Sequence, residues 1–163
     1  MRLFKYGILA LLCTFMTSQA RADAYLGVLG GYGLSSGDPA VTSGGVALGA
    51  TAGFQLVPNL GVAGTYIHNA MKGSGGDVTV SEYLVEGNFF SLLFFPSGVH
   101  LGTVNTDYNG VSSSDLGFGA HTGFDLMIMS GISVGASVYW TYVTRTDDKH
   151  SLINLLVPVK IHF

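Results

Sequence analysis

Charged residues, cysteine and long apolar runs are all scarce in this sequence of 163 residues. Only 10% of the residues are charged, against roughly 25% in typical soluble domains, while 48% are hydrophobic. This balance excludes a disordered chain, which would be charged and poor in aromatic residues. No apolar run after the N-terminus reaches the ~20 residues that a transmembrane helix needs. The single cysteine, Cys13, lies in the N-terminal segment, so we expect no disulfides or thiolate chemistry in the mature chain.

The N-terminus has the features of a secretory signal. Arg2 and Lys5 supply its positive charge, an apolar stretch from Tyr6 to Met16 follows, and small residues come next. We predict that residues 1–22 are a signal peptide cleaved after Ala22 and that residues 23–163 form a single domain.

Removal of the signal peptide makes the chain distinctly acidic. Four basic residues then remain against ten acidic ones, which gives a net charge of 4 − 10 = −6 with neutral histidines. No basic patch is available to neutralise phosphates, so we expect no nucleic-acid partner. The histidines are scattered without ligand spacing, so we expect neither a metal site nor a cofactor.

Apolar residues recur with a period of two over unusually long segments. The clearest are 46–57, 116–128 and 132–142, where every second residue is Val, Leu, Ile, Phe, Trp, Tyr, Ala or Thr. Such alternation indicates β-strands and not helices. The same pattern predicts eight strands over residues 24–33, 45–57, 61–70, 77–93, 98–109, 114–129, 131–145 and 150–163.

The segments between these strands resemble turns and short polar loops. Tight connections are predicted at 58–61, 96–98 and 129–131, and longer polar ones at 35–44, 71–76, 109–113 and 146–149. This alternation of short and longer connections is typical of hairpins that end on two sides of a membrane.

The two faces of each predicted strand differ in a way that favours a membrane barrel. One face is uniformly apolar, whereas the other carries Gly, Ser, Thr and Ala with a few charged residues. Small residues suit the crowded interior of a narrow barrel, and an apolar outer face suits lipid. A sheet in lipid must close on itself to pair its backbone groups. We therefore predict an all-β fold, a closed antiparallel eight-stranded transmembrane β-barrel with both termini in the periplasm.

The aromatic residues sort by height along the predicted strands. Tyr and Trp concentrate toward the outer ends and most Phe residues toward the periplasmic ends, with Phe118 as an exception. Two aromatic belts that flank an apolar band are expected of a membrane barrel. The predicted belt residues are Tyr32, Tyr66, Tyr83, Tyr108, Trp140, Tyr142, Phe54, Phe124 and Phe163.

The C-terminal segment 155–163 alternates Leu, Val, Val, Ile and Phe with other residues and ends on Phe163. It resembles the terminal strand of bacterial outer-membrane proteins, whose last aromatic residue is used by the barrel assembly machinery. The mature chain as a whole is similar to the small eight-stranded barrels: the transmembrane domain of outer-membrane protein A, and the X-type and W-type proteins. This resemblance implies a monomer in the outer membrane of a Gram-negative bacterium, in contact with membrane lipid and lipopolysaccharide and assembled through Phe163. Pro158 departs from the pattern and predicts a bulge or weak pairing.

Several polar side chains are expected to face the lumen. A charge buried there costs several kcal/mol unless it is paired or hydrated, so we predict that Lys160 pairs with Asp125 or Glu86. We interpret the set as a structural polar plug in a narrow or plugged lumen, because small barrels are filled. The alternative is a gate that opens when this pair breaks. The predicted lumen residues are Glu82, Glu86, Asn88, His121, Asp125, Lys160 and His162.

The expected role is therefore structural or porin-like, with no catalytic residues. One alternative is a lipid A-modifying enzyme, because His68, Ser74, Ser81 and Glu82 fall in one hairpin. However, the deacylase pattern has a serine two residues after its histidine, where this chain has Ala70. Another alternative is a W-type channel for small hydrophobic molecules. Leu29, Leu34 and Val111 would line its entry.

Overall fold

A computed structural model describes residues 24–37, 41–57, 60–90, 96–144 and 149–163 of the chain. The predicted signal peptide, residues 1–22, lies outside the described residues. Eight strands follow in chain order: β1 (Ala24–Ser36), β2 (Val41–Val57), β3 (Leu60–Gly73), β4 (Gly76–Phe90), β5 (Pro96–Tyr108), β6 (Val111–Met129), β7 (Ile132–Thr144) and β8 (Lys149–His162).

Each strand pairs antiparallel with its neighbours in sequence, and β8 pairs with β1 to close the ring. At the closing seam the backbones of Ala24 and Phe163 exchange hydrogen bonds of 3.3 and 3.1 Å. The predicted all-β, closed eight-stranded fold is thus confirmed. We call the end that holds both termini the terminal end and the opposite end the far end.

The register of the strands sets the shape of the barrel. Starting at Ser112 on β6 and passing from each residue to its paired partner on the next strand, one full circuit of the ring returns to β6 at Thr122. The barrel therefore has a shear of ten residues. For eight strands this shear corresponds to a strand tilt of about 40°. A barrel of this size is wide enough for its own side chains to fill the interior.

Alternation along the strands separates an apolar outer face from a mixed interior, because successive side chains on a strand point to opposite sides of the sheet. On β1, Val28 is 62% exposed while its neighbour Leu29 is 4% exposed. The same contrast recurs between Val85 and Glu86 on β4. Among the residues that the structure describes, no helix is long and apolar enough to cross a membrane.

The strands extend further toward the far end than the sequence pattern predicts. β3 and β4 are joined by residues 74–75 alone, and β5 and β6 by residues 109–110, so the predicted longer loops at 71–76 and 109–113 are wrong. Asn109 (φ 52°) and Gly110 (φ 78°) both adopt positive φ, which allows a two-residue turn. Polar residues near these tips pair in the sheet because a strand end beyond the apolar band does not need an apolar outer face.

At the terminal end, one predicted turn is also wrong. Residues 96–98 belong to β5, where Ser97 pairs with Phe89 on β4. The connection between β4 and β5 lies outside the described residues. Most of the predicted connection at 146–149 and the start of the one at 58–61 also lie outside them.

Pro158 interrupts pairing between β7 and β8 without shifting the register. Val134 pairs with Val159, and the next pair toward the far end is Ser137 with Leu156. The predicted bulge is therefore absent here, and the pairing is locally weaker. The reason is chemical, because proline has no N–H to donate to the neighbouring strand.

Candidate functional site

The lumen is filled by side chains arranged in alternating apolar and polar layers. β4 runs from the far end to the terminal end, and its inward residues follow the order Val78, Val80, Glu82, Leu84, Glu86 and Asn88. Each of these side chains is buried. Within the described part of the chain, the lumen is therefore packed from the far end to the level of Asn88.

Two apolar layers close the upper and middle parts of the lumen. The far-end layer comprises Met71, Val78, Val80, Val104, Val143 and Leu152, with Val41 and Tyr108 packed against it. The middle layer comprises Leu29, Ala47, Ile67, Leu84, Tyr139 and Leu156.

Glu82 lies between these layers and is fully buried. Its Oε1 accepts hydrogen bonds from Asn69 Nδ2 (3.2 Å) and Asn154 Nδ2 (2.6 Å), and its Oε2 accepts one from Thr141 Oγ1 (2.7 Å). No basic side chain is among these three partners, so neutral donors satisfy the two buried oxygens of Glu82. A Cβ at Gly33 would collide with the Asn69 amide, so this glycine makes room for the cluster.

A second polar cluster continues from Thr141 toward the terminal end. The Thr141 hydroxyl donates its one hydrogen to Glu82, so its oxygen accepts a hydrogen bond from His100 Nε2, which is 3.1 Å away. His100 Nδ1 in turn lies 3.4 Å from His121 Nδ1, and His121 Nε2 lies 2.6 Å from Asn88 Oδ1. The polar side chains thus form one contiguous chain of contacts from Glu82 to Asn88. Because His100 and His121 each donate from Nε2, their two Nδ1 atoms are in contact without a hydrogen bond between neutral rings.

Glu86 lies beside this chain, with its Oε2 3.8 Å from His121 Nε2. The ring of Tyr139 stacks on His121 with centroids 4.8 Å apart. One oxygen of Glu86, Oε1, is buried without a hydrogen-bond partner. This carboxylate is therefore held less completely than that of Glu82.

At the terminal end the lumen holds an ion pair. Lys160 Nζ lies 2.7 Å from Asp125 Oδ2 and 4.9 Å from the centre of the Tyr25 ring. Of the two partners expected for Lys160, the structure places Asp125 beside it, and Glu86 faces His121 instead. Nearby, Ser133 Oγ and His162 Nε2 are 2.7 Å apart.

The seven residues expected in the lumen thus all point inward, but other members of the cluster were not predicted. These are Asn69, His100, Thr141 and Asn154. His100 was missed because the alternation of its strand is poor. The other three have inward parity in their strands, but their meeting at Glu82 requires contacts across the lumen. No group of three or more His, Cys, Asp or Glu side chains suited to a metal ion occurs in the described residues.

The outer face carries most of the predicted aromatic belts. Toward the far end, Tyr66 and Tyr83 form a pair on adjacent strands with ring centroids 5.0 Å apart, and Phe118 contacts Tyr142 at 5.3 Å. Tyr108 is an exception, because it packs against the far-end layer inside the barrel. The remaining outward residues of the predicted belts are Tyr32, Phe54, Phe124, Trp140 and Phe163, all of which are exposed.

The residues of the enzymatic alternative are only partly brought together. His68 Nδ1 and Ser81 Oγ lie 3.0 Å apart. They face outward, whereas Glu82 points into the lumen on the opposite side of the sheet. A carboxylate that could orient His68 is therefore not supplied by Glu82, and Ser74 lies in the exposed turn.

The apolar entry expected of a W-type channel is not assembled either. Leu29 is buried in the middle layer, while Leu34 and Val111 are exposed large hydrophobics. These three side chains do not line a common opening.

Comparisons with known proteins agree with this architecture. No protein-family model matches the sequence, and no curated protein matches it. Among solved structures, Neisserial surface protein A is similar with a TM-score of 0.70 at 17% identity, over 87% of this chain and 98% of that one. The attachment invasion locus protein Ail of Yersinia pestis has a TM-score of 0.57 at 17% identity, over 86% and 99%. The outer membrane protein OprG of Pseudomonas aeruginosa has a TM-score of 0.52 at 12% identity, over 89% and 99%.

These similarities confirm the resemblance to small outer-membrane barrels at the level of the fold. The chain spans nearly the whole length of each of these structures.

Proposed function

We propose that this protein is an integral outer-membrane β-barrel whose filled lumen gives it a structural rather than a conducting role. The observation that carries the proposal is the apolar outer face, which continues around a closed ring of eight strands. Leu26, Leu101 and Ile161, on three different strands, are each more than half exposed. An exposed apolar surface of this kind is stable in hydrocarbon and would aggregate in water.

The contents of the lumen support a structural role. A general diffusion pore needs a continuous water-filled path, whereas this interior is occupied by two apolar layers and two hydrogen-bonded polar clusters. Burying Glu82 without hydrogen-bond donors would be costly, and the three side chains that donate to it favour one specific packing of the interior.

Export and assembly complete the proposal. Residues 1–22 act as a cleavable signal peptide, and residues 23–163 form the barrel. Phe163, which is 67% exposed at the end of the closing strand, is available to the barrel assembly machinery. The folded protein is a monomer in contact with lipid and lipopolysaccharide, and it has no catalytic activity.

Mobility in detergent gels tests the barrel. We expect unboiled protein from the outer-membrane fraction to migrate differently from boiled protein, because a closed barrel resists unfolding by detergent. Identical mobility, or recovery of the mature chain in the periplasmic soluble fraction, would contradict the proposal.

The absence of catalysis is tested on the lipid itself. We expect lipid A from cells with and without the protein to give identical mass spectra. A mass shift that disappears in a His68→Ala variant would instead assign an enzymatic role to the outward pair of His68 and Ser81.

A further inference from the structure

Two histidines of the lumen meet at ring nitrogens that carry no hydrogen. His100 Nδ1 and His121 Nδ1 lie 3.4 Å apart, and the two rings are inclined by only 16° with centroids 5.7 Å apart. The centroid distance exceeds the Nδ1 distance by about the width of one ring, so the two nitrogens face each other directly. A Cβ at Gly98 or Gly119 would lie 2.6 or 2.7 Å from Nε2 of these rings, so both glycines make room for the pair.

The hydrogen bonds on either side of the pair cause this contact. Thr141 gives its one hydrogen to Glu82 Oε2 at 2.7 Å, which requires His100 Nε2 to donate to Thr141. On the other side, His121 Nε2 donates to Asn88 Oδ1 at 2.6 Å. While Glu82 is a carboxylate, both neutral rings thus carry their hydrogen on Nε2, and two lone pairs face each other. We call these five residues the polar series.

One proton on Glu82 removes this conflict without moving a heavy atom. The protonated Oε2 donates to Thr141 Oγ1, and the Thr141 hydroxyl then donates to His100 Nε2. The hydrogen of His100 lies on Nδ1 in this arrangement, where it is donated to His121 Nδ1. Each of the four links in the polar series then has one donor and one acceptor.

The surroundings of Glu82 also favour a bound proton. The carboxyl group is fully buried, and the side chains that donate to it, Asn69 from β3, Thr141 from β7 and Asn154 from β8, are neutral. Burial disfavours a charge that has no partner of opposite sign, whereas the protonated polar series is neutral throughout. The other titratable side chains that point into the described lumen are Tyr25 on β1, Glu86 on β4, His100 and Tyr108 on β5, Asp115, His121 and Asp125 on β6, Tyr139 on β7, and His150, Lys160 and His162 on β8.

We propose that Glu82 is a proton-binding site and that the two histidines relay its proton from the terminal end. A proton from solution enters between the two Nδ1 atoms and stays on His100. His100 passes the hydrogen on its Nε2 to Thr141, and Thr141 passes its own hydrogen to Glu82 Oε2. One proton is taken up, the tautomer of His100 changes, and release reverses the steps. The far-end apolar layer lies above Glu82, so the proton enters and leaves at the same end and does not cross the barrel.

The tautomer of His100 reports the proton on Glu82. We expect nitrogen NMR of the folded barrel in lipid nanodiscs, with isotope-labelled histidine, to place the His100 hydrogen on Nε2 at high pH and on Nδ1 at low pH. The His121 hydrogen should stay on Nε2 throughout. The infrared carbonyl band of a protonated carboxylic acid should appear over the same pH range in which His100 changes.

Two variants and a matched control test the links. The side-chain NH2 of Glu82→Gln has no lone pair to accept with, so His100 should keep its hydrogen on Nδ1 at every pH and the infrared band should be absent. Thr141→Val separates Glu82 from His100, so the band and the tautomer should no longer change together. The control is Thr106→Val, because Thr106 is also a buried threonine of the lumen and its hydroxyl has no hydrogen-bond partner. It should behave like the parent protein.

Three results would overturn the proposal. If the His100 hydrogen stays on Nε2 at every pH at which the barrel is folded, the polar series runs in the opposite direction, with the Asn88 amide reversed. An imidazolium signal in place of the infrared band would show that the histidines and not Glu82 hold the proton. A tautomer change that survives in Thr141→Val would show that His100 responds to another group. Heat-modifiable mobility of each variant, checked first, separates these results from failure of the barrel itself.

Discussion

Glu82 connects four strands through side-chain hydrogen bonds. Its carboxylate lies on β4 and accepts from Asn69 on β3, Thr141 on β7 and Asn154 on β8. Because β7 and β8 do not adjoin β4 in the ring, the side-chain hydrogen bonds of Glu82 connect strands across the lumen and not only neighbours in the sheet.

We predict that Glu82→Gln destabilises the barrel by about 2–4 kcal/mol, since the amide –NH2 would face donors that then lose their acceptor. The matched control is Glu86→Gln, the same change four residues along the same face of β4. Glu86 already has one oxygen without a partner, so its change should cost clearly less. Urea unfolding in lipid vesicles measures both. An equal or larger loss in Glu86→Gln would contradict the role given to Glu82.

The ion pair of Lys160 and Asp125 gives a second prediction at the same scale. Removing one partner leaves the other charge largely buried, so Lys160→Met and Asp125→Asn should each be destabilising. The double variant should cost less than the sum of the two, with a coupling free energy of about 1–2 kcal/mol. Strictly additive losses in a double-mutant cycle would mean that the contact contributes nothing.

Sequence parity predicts the direction of single side chains better than it predicts their partners. The inward placement of Glu82 and Lys160 follows from alternation alone, because a strand has a strict period of two. Tyr108 shows the limit, since the alternation of β5 is weak and its parity could not be assigned firmly. The contact of Glu82 with Thr141 depends on the width and shear of the closed ring, which no local pattern contains.

Among the structural elements, the hairpin of β5 and β6 depends on backbone conformation at its turn. Gly110 has φ 78° and open space around its Cα, so a methyl group there would meet no atom. The left-handed region nevertheless costs a residue with a side chain about 1–2 kcal/mol. We predict a loss of this size in Gly110→Ala, measured by thermal unfolding.

Gly64 provides a matched control for this change. It also has open space, but it lies within β3 and its φ is not in the left-handed range. Replacing glycine by alanine there reduces the entropy of the unfolded chain without strain, so stability should stay constant or rise by up to about 1 kcal/mol. If Gly64→Ala is as damaging as Gly110→Ala, positive φ is not the cause.

The β7–β8 pairing leads to a prediction of increased stability. Pro158→Ala supplies one hydrogen bond to the Gly135 carbonyl, worth about 0.5–1.5 kcal/mol in general and more in an apolar wall. The unfolded chain regains about 0.4–1 kcal/mol of entropy, so we expect a modest net gain. The new amide at position 158 should also exchange slowly with deuterium, and fast exchange would show that the strands do not pair there.

At the scale of the whole molecule, closure and filling of the barrel depend on each other. A shear of ten residues fixes the diameter, and the diameter determines that inward side chains meet across the lumen. Alternation and the terminal strand were sufficient to predict the closed ring, because a sheet with an apolar outer face has no other way to pair its edges. The lengths of the far-end hairpins were not predictable from polarity, since beyond the apolar band both strands and loops carry polar residues.

This layered filling predicts that no single contact acts as a gate. In planar bilayers, the parent protein should produce no steady conductance, and neither should Lys160→Ala. The ion pair lies at the terminal end, so when it is lost the middle layer around Leu84 and the far-end layer around Leu152 still exclude water. A large porin in the same bilayer serves as the positive control. Conduction by Lys160→Ala but not by the parent would contradict this prediction. It would show that the apolar layers above the ion pair move when the ion pair is lost.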